Sequence, residues 1–190
     1  KEEKKKRKKE KREGRRKKEE EEGSETAATS FIDSELKQKI PAIQWLLHRY
    51  FQDTNVFFVG DPHIFGSAAE FLSELGCRVI GMVGVGSQVH LDPLPESIAT
   101  RAIPTLFEAN PFAIEALVES LPAGSDIDLA IQSHTHGWPG KGDYATVPFG
   151  FACQWWHAIW DTPYLGFNGA LSFIDRMANA LMTRFHNQRN

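Results

Sequence analysis

Asn55-Val56-Phe57-Phe58-Val59-Gly60-Asp61-Pro62-His63 is an apolar run that stops abruptly at a turn. The run is short, β-branched and aromatic, and has no helical period, which predicts a strand buried on both faces. Gly60-Asp61-Pro62 is turn chemistry. Phe65, Ala68, Ala69, Leu72 and Leu75 follow at helical spacing and stop at Gly76, a residue suited to end a helix. Cys77 to Val85, CRVIGMVGV, is a second apolar run. Strand, helix and strand with short connections make the βαβ unit of a parallel sheet.

Downstream the pattern repeats more loosely. Ala102 to Phe107, Asp128 to Gln132 and Thr146 to Phe151 are candidate strands. Asn110-Pro111 offers a helix cap and a first-turn proline ahead of Ile114, Leu117, Val118 and Leu121. Phe167 to Phe185 carries a long apolar stripe and predicts a closing amphipathic helix. Upstream, Ile40, Ile43, Leu46, Leu47, Tyr50 and Phe51 predict another helix, broken or bent near Pro41. The fold class expected is α/β: a doubly wound, mostly parallel, Rossmann-like sheet. Its ligands would gather beyond the carboxyl ends of the strands, on the loops starting at Gly60, Val85, Gln132 and Ala152.

The charge is split along the chain. Overall there are 22 Lys/Arg and 25 Asp/Glu, a net of -3. Residues 1–22 hold 13 Lys/Arg and 8 Glu, net +5, which leaves 22 - 13 = 9 against 25 - 8 = 17, net -8, for residues 23–190. Residues 1–30 are therefore read as a charged tail and linker, helical or disordered, and 31–190 as the α/β domain. The interspersed glutamates and the absence of an aromatic residue in the tail argue against nucleic acid. No apolar run approaches the roughly 18–20 residues of a membrane span, and the start lacks the apolar stretch of a signal peptide, so a cytoplasmic protein is expected. Two cysteines, Cys77 and Cys153, make neither a disulfide scaffold nor a set of cluster ligands, which is commonly four thiolates.

Three features of the rim could carry chemistry. Gly60-Asp61-Pro62-His63 precedes a helix start that favours anions, with Gly66-Ser67 allowing close approach, but no GxGxxG is present; a capped tight turn is the competing reading. His134-Thr135-His136 follows a strand and could hold a metal. With Asp61 and His63 it resembles the metallophosphoesterases, whose first strand ends in DxH and whose last motif is GHxH. Between the motifs only His90 and Asp92 have suitable chemistry. The third feature is Trp155-Trp156-His157-Ala158-Ile159-Trp160-Asp161, where three tryptophans in six residues call for burial or a partner. His157 among them is either a core histidine or a nitrogen ligand for a soft metal centre.

Taken together, several strings resemble the last third of a nitrogenase component 1 subunit. They are the helix leading into Asn55-Val-Phe-Phe-Val-Gly-Asp-Pro-His63, then Phe71-Leu-Ser-Glu-Leu-Gly76, Asp126-Ile-Asp-Leu-Ala-Ile131 with Ser133, Val147-Pro148-Phe149, and Pro163-Tyr164-Leu-Gly166 running into a helix. The resemblance covers about residues 34–185. It implies a C-terminal Rossmann-like domain of a larger oxidoreductase subunit, lining a buried metal-cofactor or substrate pocket and a subunit interface. It further implies a paired subunit in an α2β2-type assembly, an ATP-driven iron protein as electron donor, and an iron–sulfur or iron–molybdenum-type cluster in the complete assembly. The family's cluster cysteines lie upstream of this region, so this piece alone is expected to hold no cluster and to be inactive. His157 is the nearest match to the family's histidine ligand, and Trp160, Asp61 and His63 are further cofactor-binding candidates. Two other readings stay open: a metal-dependent hydrolase using Asp61, His63, His134 and His136, and a non-catalytic Rossmann-like interaction module.

Overall fold

The computed structural model describes residues 2–84, 95–108, 110–122, 126–132, 142–149 and 166–188, with side chains described from Ser24 onward. The chain divides into two units, Lys1–Trp45 and Leu46–Asn190. The first is built on one helix, α1 (Glu2–Leu46). Lys, Arg and Glu are good helix formers, and pairs four apart such as Glu35 and Lys39, whose charged atoms lie 3.2 Å from each other, add support. The helix runs through Pro41 without ending there. The departure from α geometry falls later, in a π-helical turn at Leu47–Phe51.

The second unit is the α/β domain. Its strands are β1 (Asn55–Gly60), β2 (Arg78–Gly84), β3 (Thr105–Phe107), β4 (Leu129–Gln132) and β5 (Ala145–Pro148). Its helices are α2 (Phe65–Glu74), α3 (Glu96–Ala99), α4 (Pro111–Glu119) and α5 (Gly166–Asn187). The short α3 has no counterpart in the sequence reading. Among the described residues the strands form one sheet in the order β3-β2-β1-β4-β5, with every pairing parallel. All six residues of the central β1 are buried, as its unbroken apolar sequence requires.

Neighbouring side chains of β1 serve opposite faces. Phe57 and Val59 pack with Val83, Ala130 and Ile114 of α4. Phe58 turns the other way, edge-on to Phe65 of α2 at 5.9 Å between ring centres and 6.1 Å from Phe149. Phe149 in turn lies 4.8 Å from Phe173 of α5. The sheet is thus covered on both faces, and burial of Phe57, Phe58 and Phe65 contributes about 1.5–3 kcal/mol each. α2 stops where expected: Gly76 takes a left-handed φ of 93°. Its amide donates to the Ser73 carbonyl.

The amino ends of β1 and β4 are tied to α5 by a charged network. Asp128 accepts from the Asn55 amide at 3.0 Å and, through its other oxygen, from Arg184 Nη1 at 2.8 Å. The Asn55 side chain donates to the Asp126 carbonyl at 2.9 Å.

Candidate functional site

The strand order places the topological switch point between β1 and β4, because the chain winds outward from β1 to β2 and β3 and then returns to β4 and β5. The rim beyond Gly60 and Gln132 is therefore the candidate site. Of the residues expected there, Asp61 and His63 are described, and both are exposed. His134, His136, His157 and Trp160 lie outside the described residues, as do His90, Asp92 and Cys153.

The turn after β1 is closed by its own chemistry. Asp61 Oδ1 accepts from the His63 amide at 2.9 Å, the Asp61 carbonyl accepts from the Ile64 amide at 3.2 Å, and Phe65 N–H donates to the Pro62 carbonyl. Pro62 has no N–H to offer. The amides of His63, Ile64 and Phe65 are thus engaged within the turn itself. Asp61 acts here as a cap for the short 3-10 turn Pro62–Ile64.

The glycines around this turn make room for protein, not ligand. A Cβ on Gly84, at the carboxyl end of β2, would lie 2.8 Å from Phe107 Cδ1 and 2.9 Å from Pro62 Cγ. A Cβ on Gly60 would lie 2.7 Å from Phe58 Cε1. Gly66, read from sequence as a place for close ligand approach, faces Pro95, whose Cβ would be 3.1 Å away. Pro62 is consequently pressed onto Gly84, which fixes the height of the Asp61–His63 turn above the sheet edge.

Next to the turn, between α2 and α5, lies an apolar cavity of about 260 Å3. Phe58, Phe71, Phe149 and Phe173 supply its rings, while Ala68, Gly169 and Ala170 are too small to fill it. A continuous series of ring contacts runs along it, from Phe71 through Phe173, Phe149 and Phe58 to Phe65 and Phe107. At the β3 side of the same rim, Phe112 in the first turn of α4 is 80% exposed. Sequence reasoning missed both the cavity and Phe112. The small residues of α5 at Gly169 and Ala170 were its only signal.

Among the described residues no three of His, Cys, Asp and Glu come together in a way that could hold a metal ion. Cys77, at the start of β2, is buried, and burial pushes its thiol up to about 12, so it stays protonated at neutral pH. The described residues therefore do not fit an iron–sulfur or iron–molybdenum-type cluster. No described helix is long and apolar enough to cross a membrane.

Comparison with known proteins completes the description. The family model for nitrogenase component 1 type oxidoreductases matches residues 20–182. The nitrogenase vanadium-iron protein beta chain of Trichormus variabilis is 28% identical over 162 residues, covering 77% of this chain and 33% of its own length. A solved structure of nitrogenase Cp1 at pH 6.5 superposes with a TM-score of 0.62 at 21% identity, over 80% of this chain and 34% of that one. The chain thus spans about a third of the length of these relatives. On the family match it belongs to the nitrogenase component 1 type oxidoreductases.

Proposed function

We propose that this chain serves as the C-terminal Rossmann-like domain of a nitrogenase component 1-like oxidoreductase subunit, with 31–190 as the domain and its carboxyl-edge rim facing a buried cofactor or substrate pocket and a subunit interface. The observation that carries the reading is the family match across residues 20–182. The rim supports it physically. An apolar cavity of about 260 Å3 and an 80% exposed Phe112 are costly to leave in water, and suit an edge covered by further protein. Partners on this reading are a paired subunit in an α2β2-type assembly and an ATP-driven iron protein, in the cytoplasm. The cluster belongs to the complete assembly, its thiolates coming from outside the described residues.

Within that assembly His157 is the candidate metal ligand, with Trp160, Asp61 and His63 near the cofactor. Asp61, already capping its turn, acts by shaping the loop. The hydrolase reading asks Asp61 to be a metal ligand, a role its contact with the His63 amide does not favour. The test is substitution in the full-length assembly. His157→Ala should release metal while circular dichroism and the unfolding midpoint are kept. Loss of the fold with metal retained would make His157 a core residue and defeat the ligand assignment. Sequencing the source DNA upstream should reveal two further domains with spaced cysteines, and a reading frame without them would favour the interaction module.

A further inference from the structure

We propose that the amino-terminal stretch of α1 binds double-helical nucleic acid through its phosphate backbone. Residues 2–18 hold 12 Lys/Arg and 4 Glu, a net of 12 - 4 = +8, and Glu19 to Glu22 close the block. Along the sequence those glutamates look interspersed. On the helix, which begins at Glu2, they are gathered together. At about 100° per residue, Glu2, Glu3, Glu10 and Glu13 all fall within an arc of roughly 100°. Ten of the 12 Lys/Arg fall in a separate arc of roughly 200°, in which residues 2–18 place no carboxylate. Lys4, Lys8, Lys11, Arg15 and Lys18 run the length of it at helical spacing. All these positions lie within one helix of the first unit.

The density of charge suits a duplex. The ten cations lie between Lys4 and Lys18, about 21 Å apart along the helix axis, or one cation per about 2 Å. Double-stranded DNA carries one negative charge per roughly 1.7 Å of its own axis. Other anionic partners ask for residues that this stretch lacks. A helix lying in a membrane surface needs an apolar face, whereas every residue of 2–22 except Gly14 is charged. The core of a protein interface is rich in aromatic residues and poor in Lys and Glu. Single strands are held by stacking on aromatic side chains, and none occurs here. A duplex asks only for cations along its phosphates. The rest of the chain, residues 23–190, is net -8, so attraction to a polyanion resides in this face.

Fluorescence anisotropy of a labelled duplex of about 20 base pairs, roughly 68 Å long, titrated with the full chain, tests this. Kd should be on the order of 1–100 μM at physiological salt and indifferent to base sequence. With about half of the ten cations reaching phosphates, the log–log salt slope has a magnitude near 4.5, so affinity should fall about 500-fold between roughly 50 and 200 mM salt. The chain without residues 1–22 should not bind. Lys8→Glu with Arg15→Glu alters the cationic face, while Lys6→Glu with Lys17→Glu makes the same change of charge within the arc of the glutamates. The first pair should weaken binding on the order of tenfold more than the second. Glu forms helix about as well as Lys and Arg, so both variants should keep their helix signal in circular dichroism. A DNA or an RNA duplex bound in this way supports the proposal, and the tighter of the two names the source. Equal losses from the two pairs would show that net charge alone acts, and would overturn the face. No binding at about 50 mM salt also overturns it, whether or not the chain's own acidic groups occupy the tail. So does a single strand bound as tightly as the duplex. Tighter binding to phosphatidylcholine–phosphatidylserine vesicles would mean a membrane surface instead.

Discussion

Asp128→Ala should cost the α/β unit about 2–4 kcal/mol, far more than a partly exposed acidic residue usually does. The carboxylate has two partners. One is the buried first amide of β1, Asn55 N at 3.0 Å, and leaving such a donor unsatisfied costs about 1–3 kcal/mol. The other is Arg184, whose side chain is only 13% exposed and whose Nε is already buried without a hydrogen-bond partner. Asp128 itself is 34% exposed, so the ion pair is discounted to about 1 kcal/mol. The Asp128 carbonyl still accepts from Arg184 Nη1 at 3.2 Å, which softens the loss. For a unit of this size the sum lowers the thermal midpoint by about 5–12 °C. Urea unfolding followed by circular dichroism measures it directly. A double-mutant cycle with Arg184→Met should return a coupling near 1 kcal/mol. A loss under about 1 kcal/mol for Asp128→Ala would show that water satisfies Asn55, and that the network does not fasten α5 to the sheet.

Deleting residues 1–22 should move the thermal midpoint by less than about 2 °C, because the segment has no apolar stripe to bury; a larger drop would show that it docks. Gly84→Ala should cost about 1–3 kcal/mol by forcing Pro62 or Phe107 aside, while a neutral result in chemical denaturation would mean the turn can lift without strain. Cys77 gives a pH signature. Its folded thiol is raised to about 12 while the unfolded thiol ionises near 9, so its contribution is complete below about pH 9 and is lost as pH rises toward 12, by about 1.4 kcal/mol per unit. The stability difference between the native chain and Cys77→Ala should fall between pH 9 and 10.5, and a constant difference would place the thiol in a polar setting.

What could be read in advance depended on whether one residue type admits one role or several. Asn55 to Val59 can only be a buried strand, since its apolar side chains point to both faces, and the structure buries all of them. Asn110-Pro111 had one use, and Asn110 Oδ1 accepts from the Ala113 amide at 2.9 Å as a helix cap should. The exit of the first helix was harder. Pro41 lacks an N–H and so predicts a break, yet the helix passes it and changes to π geometry at Leu47. α3 is four residues long, too short for any periodicity to announce.

The rim was the least legible part for a related reason. An Asp before a Pro is equally a cap, a ligand or a base until the destinations of the neighbouring amides are known. Here the His63 and Phe65 amides return to Asp61 and Pro62, and the Ile64 amide goes to the Asp61 carbonyl. The turn is therefore complete without a ligand. The glycine on which Pro62 rests is filled by ring and proline atoms in the same way. Among the described residues, what this edge leaves open is apolar, the cavity between α2 and α5 and the exposed Phe112. Polar groups that are satisfied beside apolar surface that is not are the pattern of an edge made to be packed against. A second protein surface would find four phenylalanine rings and a gap of the right order for a large side chain. Among the described residues, the polar groups of this turn are occupied and the open surface is apolar, as the proposed burial of this edge within a larger subunit would require.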